Sequence, residues 1–231
     1  MKNIKTAFIL AGGRGTRLGE LTEEIPKPMI KVAGKPILHH MTDWFSSYGV
    51  KRFVLAIHYK KEKIIEYFGD GKELYEELIY TEETLPMGTG GALKLAEKHL
   101  KDTFIFANGD ILTNFNLYDM MEFHFKHKAL LTIALKAVKE PKRFGVAQLD
   151  GDRIEKFIEK PEIPSSNFIN AGICIAEPEI IKYIPPNKFC SFEREVIPLI
   201  TEKRKTFGYK VLGPWIDIGL PEALKMADEL W

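Results

Sequence analysis

Apolar residues along this chain fall in short runs separated by amphipathic stretches, and their order predicts an alternation of strands and helices. Residues 6–10 form an apolar run that reads as a buried strand and breaks into a loop carrying Gly12, Gly13 and Gly15. A helix is expected over 36–48, opened by Pro36 and closed by Gly49. A strand over 52–57, a helix over 61–68 stopped by Gly69 and a short strand over 77–80 follow. Beyond a loop around Pro86 and Gly88, the pattern predicts a helix over 89–100 and a buried strand over 103–107 ending at Asn108-Gly109-Asp110. Such alternation favours a parallel sheet flanked by helices.

After a helix over 117–128 the texture changes. Strands are expected over 129–138, then 146–149 and 153–158 around the hairpin turn Asp150-Gly151, then 170–176. A proline-opened segment spans 178–183, and Ser191 is placed as the cap of a helix through Thr201 whose regularity Pro198 limits. Short strands over 205–212 and 215–218 precede a terminal helix from Pro221. The expected organisation is a single domain over 1–231, with a first half over 1–128 and a second over 129–231.

Composition narrows the options. With 33 Lys and Arg against 32 Asp and Glu, net charge +1, the chain lacks the basic surface expected of a nucleic-acid or membrane binder. Its 45% hydrophobic content allows a full core. No run approaches the ~20 apolar residues of a membrane span, and the segment after Met1-Lys2-Asn3-Ile4-Lys5 is too short for a signal peptide. Cys174 and Cys190 lack metal-ligand spacing, so reduced thiols and a cytoplasmic location are expected. Composition leaves the oligomeric state open, a homodimer included.

The glycine loop after the first strand is the main chemical signal. Glycines let main-chain N–H groups approach a polyanion closely. Arg17 adds a planar, permanently charged fork, and Lys27, between Pro26 and Pro28, adds a point charge on a stiff arm. An ordinary strand-to-helix turn is the competing account. The loop is not a P-loop, since no Gly-Lys-Ser/Thr follows, and Leu18 breaks the dinucleotide fingerprint. Asp110, at a strand end beside the loop, suits Mg²⁺, which takes one or two protein oxygens plus phosphates and water; a plain turn aspartate is the alternative. Asp217, inside the apolar Trp215-Ile216-Asp217-Ile218, is costly unless paired or metal-bound. The histidines at 39, 40, 124 and 127 lack metal spacing, and Ser191 has no Ser-His-Asp context.

The full string Gly12-Gly13-Arg14-Gly15-Thr16-Arg17-Leu18, then Leu21-Thr22, then Pro26-Lys27-Pro28-Met29, resembles the signature of the sugar-phosphate nucleotidyltransferases, also called NDP-sugar pyrophosphorylases. The resemblance runs from Ala7 to about Ala227. It implies a Rossmann-like α/β fold, the nucleotide-diphospho-sugar transferase fold, with a mixed, mainly parallel sheet and a small antiparallel sugar-side subregion. The first half then binds nucleotide and the second sugar, with no C-terminal β-helix domain. Arg17 and Lys27 become the catalytic cations. Leu10, Ala11, Gly12, Gly13, Gly15, Thr16, Gly88 and Asn108 become nucleotide contacts, with Gly88 beside the base. Gly145, Glu159, Lys160, Asn170 and Gly172 become sugar-phosphate contacts, Lys160 holding the phosphate, and Asp110 with Asp217 becomes the Mg²⁺ pair.

The implied reaction joins a sugar 1-phosphate to an NTP, releasing pyrophosphate. Pro86 to Ala92, Glu140 to Val146 and Ser191 to Glu195 look closest to short guanylyltransferases acting on mannose 1-phosphate or D-glycero-D-manno-heptose 1-phosphate, making GTP the expected nucleotide. Gly34-Lys35-Pro36-Ile37-Leu38 also resembles glucose-1-phosphate cytidylyltransferases, and thymidylyl- or MurNAc-1-phosphate uridylyltransfer stays open. A glycosyltransferase of related fold and a non-catalytic nucleotide-sugar-binding regulatory subunit are the alternatives of other classes.

Overall fold

The computed structural model describes residues 3–231. Met1 and Lys2, where the segment weighed as a leader begins, lie outside the described residues. In chain order the elements are β1 (Thr6–Leu10), β2 (Lys31–Val32), β3 (Lys35–Pro36), α1 (Ile37–Ser47), β4 (Arg52–Ile57), α2 (Lys61–Phe68), β5 (Glu77–Glu82), α3 (Gly88–Leu95), β6 (Phe104–Asn108) and β7 (Ile111–Thr113). There follow α4 (Leu117–His127), β8 (Leu131–Ala137), β9 (Gly145–Asp150), β10 (Arg153–Glu159), β11 (Phe168–Ala176), α5 (Ile197–Glu202), β12 (Thr206–Lys210), β13 (Trp215–Asp217) and α6 (Pro221–Leu230).

Among the described residues nine strands form one sheet, ordered β5-β4-β1-β6-β11-β8-β12-β10-β9. The first four are mutually parallel, so their carboxyl ends share one edge. β1, β4 and β6 are apolar on both faces because packed layers cover both. Ala7 and Ile9 of β1 join Phe45, Phe53 and Leu55 in one layer, while Phe8 joins Val54, Phe104 and Phe106 in the other. From β6 outward, antiparallel pairing predominates: β11 runs against β6 and β8, and β10 against β12 and β9. This part is continuous with the parallel sheet. It also curls, because Ile169 of β11 pairs with Val146 of β9.

The curl starts at a kink in β11. Gly172 sits at φ 77, its N–H donating to Asn170 Oδ1 at 2.9 Å, and the pairing with β8 is irregular between Asn170 and Cys174. A residue with a Cβ is strained at that φ. The back half of β11 therefore stays on β6 while the front half swings to β9.

Several elements differ from the sequence expectation. The helix placed over 89–100 stops at Leu95 and tightens into a 3₁₀ turn at Glu97–His99, and Pro178–Tyr183 is a 3₁₀ helix. Ser191 does cap its segment, its Oγ accepting from Arg194 N at 3.3 Å, but the first turn Phe192–Val196 is π-helical. Pro198 has no N–H to extend a regular ladder, so a new helix, α5, starts with Pro198 in its first turn. β13 does not join the large sheet; it pairs with β7, a three-residue strand that short apolar runs do not announce. No helix among the described residues is long and apolar enough to cross a membrane.

The exits of β1 and β6 pass very close together. Gly109 N donates to Leu10 O at 2.9 Å, and a Cβ on Gly109 would stand 2.6 Å from that same oxygen. Gly109→Ala is therefore expected to cost ~1–3 kcal/mol, as other overpacking changes do. The measurement is urea unfolding, where the midpoint should fall with little change in slope; an unmoved midpoint would contradict this close approach.

Candidate active site

The glycine loop leaves the carboxyl end of β1, where open sheets gather ligand groups. Ala11 N donates to Ala56 O at 2.8 Å, which ties the loop's start to β4. Gly15 turns left-handed at φ 68 and a Cβ there would meet Lys27 Cβ at 2.9 Å, so the loop and the Lys27 segment lie against each other. Two 3₁₀ helices, Thr16–Thr22 and Lys27–Met29, follow. Thr22 Oγ1 donates to Gly15 O at 3.2 Å, and Leu18, Ile30, Leu112 and Ile218 bury together beneath them. Polar loop residues are thereby anchored by an apolar underside, and Arg17 and Lys27 face a common cavity.

Lys27 is only 7% exposed, an unusual setting for an ammonium, and it is paired. Its Nζ contacts Asp110 Oδ2 and lies 3.5 Å from Asp217 Oδ1. The two aspartates meet because β7 and β13 pair, Asp217 opposite Ile111, and Ile218 N donates to Asp110 O at 3.0 Å. Burial first, and the neighbouring Asp110 second, push the Asp217 carboxyl above its ordinary range, while Lys27 and Arg17 pull the other way.

The cavity holds about 800 Å³, the size of sites for drug-sized ligands. Its far end is built by the antiparallel strands. Lys160 follows β10 in a left-handed conformation, φ 50, with its N–H on Phe144 O at 3.0 Å and its Nζ 3.5 Å from Glu159 Oε1. Burial foremost, and then Glu193, push the Glu159 carboxyl up. Trp215 Nε1 donates to Ala171 O at 2.8 Å and so pins the Asn170–Gly172 kink to the strand carrying Asp217.

Of the residues singled out from sequence, Leu10, Gly12, Gly13, Arg17, Lys27, Gly88, Asn108 and Asp110 line this one cavity. So do Gly145, Glu159, Lys160, Asn170, Gly172 and Asp217. Ala11, Gly15 and Thr16 do not. Ala11 is fully buried beneath the loop, the Gly15 carbonyl is taken by Thr22 and Leu18, and Thr16 begins the 3₁₀ helix on its exposed side.

Residues not named as site residues from the sequence also reach the cavity, among them Glu83, Arg143, Phe189 and Glu193. Glu83 stands just past β5, and Glu82-Glu83 is hard to separate by pattern alone; the rule that ligands gather at carboxyl ends of parallel strands is the signal that points there. Its Oε1 is buried with no hydrogen-bond partner among the described residues, and burial raises its carboxyl.

Comparison with known proteins gives the family. The family described as Nucleotidyl transferase matches residues 6–230. A mannose-1-phosphate guanylyltransferase of Mycobacterium tuberculosis is 38% identical over 220 residues, covering 94% of this chain and 61% of that protein. The catalytic subunit beta of a mannose-1-phosphate guanylyltransferase from Drosophila melanogaster is also 38% identical, with 94% of this chain and 60% of that one covered. The chain thus spans about 60% of the length of these curated relatives. Among solved structures, HddC from Yersinia pseudotuberculosis superposes with TM-score 0.84 at 31% identity, covering 98% of this chain and 99% of the other, and it is also known complexed with GMP-PN. The chain belongs to the nucleotidyl transferase family.

Proposed function

We propose that this protein is a sugar-1-phosphate guanylyltransferase, joining GTP to mannose 1-phosphate or a manno-heptose 1-phosphate with release of pyrophosphate in the cytoplasm. The observation that carries the reading is the convergence in one cavity of the glycine loop, Arg17, Lys27, Lys160 and the two aspartates. The names of the relatives support the guanine and mannose assignments.

The attacking group in this reading is a sugar phosphate oxygen that is already ionised. No general base is required, which accounts for a site made of cations and carboxylates. Catalysis then rests on alignment and charge neutralisation. Main-chain N–H groups at Gly12 and Gly13 take the nucleotide phosphates. Arg17 faces the departing β- and γ-phosphates with two parallel donors, Lys27 offsets charge at the α-phosphate, and Lys160 anchors the incoming phosphate.

Asp110 and Asp217 fit a hard divalent cation such as Mg²⁺. They are oxygen donors, Asp110 disfavours the ionisation of Asp217, and both line the cavity beside the phosphate loop. Among the described residues no set of three or more His, Cys, Asp or Glu groups forms a metal cage, which suits an ion that keeps phosphate and water ligands. Bound there, the ion would supply further neutralisation of phosphate charge.

Glu83 supports guanine. A carboxylate only accepts hydrogen bonds, and guanine presents its N1–H and exocyclic amino group side by side as donors. Adenine and cytosine place an acceptor next to the amino group, and uracil flanks its single N–H with carbonyls. The unpartnered Glu83 Oε1 therefore complements guanine better than the other bases.

Two experiments test this reading. Pyrophosphate release is measured for GTP, ATP, CTP, UTP and dTTP against mannose, manno-heptose, glucose and N-acetylhexosamine 1-phosphates. GTP with a manno-configured sugar is expected to be fastest, and Arg17→Ala or Asp110→Ala should lower kcat by roughly 10²–10³ without unfolding the protein. Release with no pair, or an Asp110→Ala variant as fast as the parent, would overturn the assignment.

In the second, GTP affinity is followed by calorimetry against pH. Glu83→Gln should weaken GTP binding by roughly tenfold or more, since hydrogen bonds to charged groups contribute ~1.5–3 kcal/mol. For the parent, binding should weaken as pH falls through the raised Glu83 value, because the protonated oxygen becomes a donor; equal binding of GTP and UTP by the parent would count against this role.

A further inference from the structure

The segment Lys188–Glu195 is not needed for phosphate chemistry, yet it is laced onto the loop that begins α3. Cys190 N donates to Met87 O at 2.9 Å, and Gly90 N donates back to Cys190 O at 2.9 Å. Thr89, in the first turn of α3, sits between the two pieces. Its Oγ1 accepts from Phe192 N at 2.8 Å and donates to Glu193 Oε2 at 2.6 Å, an oxygen that Ser191 Oγ also approaches at 3.2 Å. Phe192 is fully buried against Phe106, so the turn bearing Glu193 is fixed to the core as well. One carboxylate oxygen of Glu193 is thus saturated, while the other takes no hydrogen bond among the described residues. The residue lines the cavity at its antiparallel end, near enough to Glu159 to disfavour that residue's ionisation.

Two carboxylates facing the same space repel unless donors are shared between them. Adjacent hydroxyls of a pyranose are such donors. Lys160 lies on the Glu159 side, at 3.5 Å from its carboxylate, whereas Glu193 is held by the neutral hydroxyls of Thr89 and Ser191. We propose that Glu193 is a second sugar-hydroxyl acceptor opposite Glu159, and that Thr89 is a positioning residue that couples its placement to the nucleotide loop at Gly88. This inference rests on the reading of the cavity as a sugar-phosphate nucleotidyltransferase site. Its physical consequence is synergy: a base seated beside Gly88 restrains the first turn of α3, and Thr89 transmits that restraint to the carboxylate that meets the sugar. By reciprocity, sugar phosphate strengthens nucleotide binding by the same factor.

The test uses Glu193→Gln, Thr89→Val and Thr89→Ser, assayed with GTP and mannose 1-phosphate. Dissociation constants for each substrate are measured alone and, using a non-hydrolysable GTP analogue, in the presence of the other. Glu193→Gln is expected to raise KM for mannose 1-phosphate by roughly 10–100-fold, as loss of a charge-assisted hydrogen bond does, with kcat changed much less and GTP affinity alone unchanged. Thr89→Val should keep the fold, shown by an unshifted near-ultraviolet spectrum, yet reduce the synergy factor, and Thr89→Ser should restore it. An unchanged KM in Glu193→Gln, or synergy untouched by Thr89→Val, overturns the inference while parent turnover leaves the proposed reaction standing. Absence of turnover in the parent with every nucleotide and sugar pair overturns the underlying reading instead.

Discussion

Two carboxylates on one nearly buried ammonium set the terms for this molecule. Asp110, Asp217 and Lys27 come from three distant segments, and Lys27 is within reach of both acids. Burying such a group of charges is expensive, and a mutual attraction offsets the expense only where geometry is well held. Here burial first, and the neighbouring Asp110 second, push the Asp217 carboxyl up. The cluster persists because other contacts hold it. The β7–β13 ribbon aligns the aspartates, and the small apolar cluster of Leu18, Ile30, Val32, Ile37, Leu112 and Ile218 fastens the 3₁₀ segments around them. Stability invested there sustains a strained electrostatic arrangement, as functional sites commonly require.

The two pairing modes of the sheet divide the work. Parallel β5, β4, β1 and β6 bring their carboxyl ends to one edge and deliver the glycine loop, Glu83 and Asp110. A purely parallel sheet would leave that edge open. The antiparallel strands close it, because β11 kinks at Gly172 and carries β9 and β10 over the opening with Glu159 and Lys160 at their ends. Trp215 then ties the kink to the strand of Asp217. A single continuous sheet thus fixes the distance between the two ends of the cavity far more rigidly than a flexible hinge would.

What could be read from sequence was local and strongly patterned. β1 and β6 are short apolar runs closed by glycine or Asn-Gly, so hydrophobic pattern and turn chemistry agree, and both Gly12 and Asp110 follow as strand-end residues. The motif strings carried the remaining charged residues. What stayed hidden was long-range or lacked periodicity. β7 is three residues, too short for a pattern, so its pairing with β13, the strand expected over 215–218, could not be read although it creates the aspartate site. Glu83 lies in a polar run, Thr81-Glu82-Glu83-Thr84, where only the tertiary burial of one carboxylate distinguishes it from its neighbour. The π-helical turn at Phe192 likewise comes from packing against Phe106 and from Pro198 interrupting the ladder, a contest that propensity does not resolve.

The cavity also gathers three glutamates around its cations. Glu83, Glu159 and Glu193 line it together with Arg17, Lys27, the glycine loop and the aspartates, and Glu193 is tied through Thr89 to the first turn of α3. Under the proposed function Glu83 serves the nucleotide, Glu159 with Glu193 the sugar, and the cations the phosphates. A nucleoside triphosphate alone then satisfies only some of these acceptors, and a sugar phosphate alone only the others. Each leaves a carboxylate without its donor, and an unsatisfied buried acceptor is costly. On that reading the set of acceptors favours occupancy by both substrates together. That preference is local chemistry written into three glutamates, and it requires no motion of the sheet that holds them.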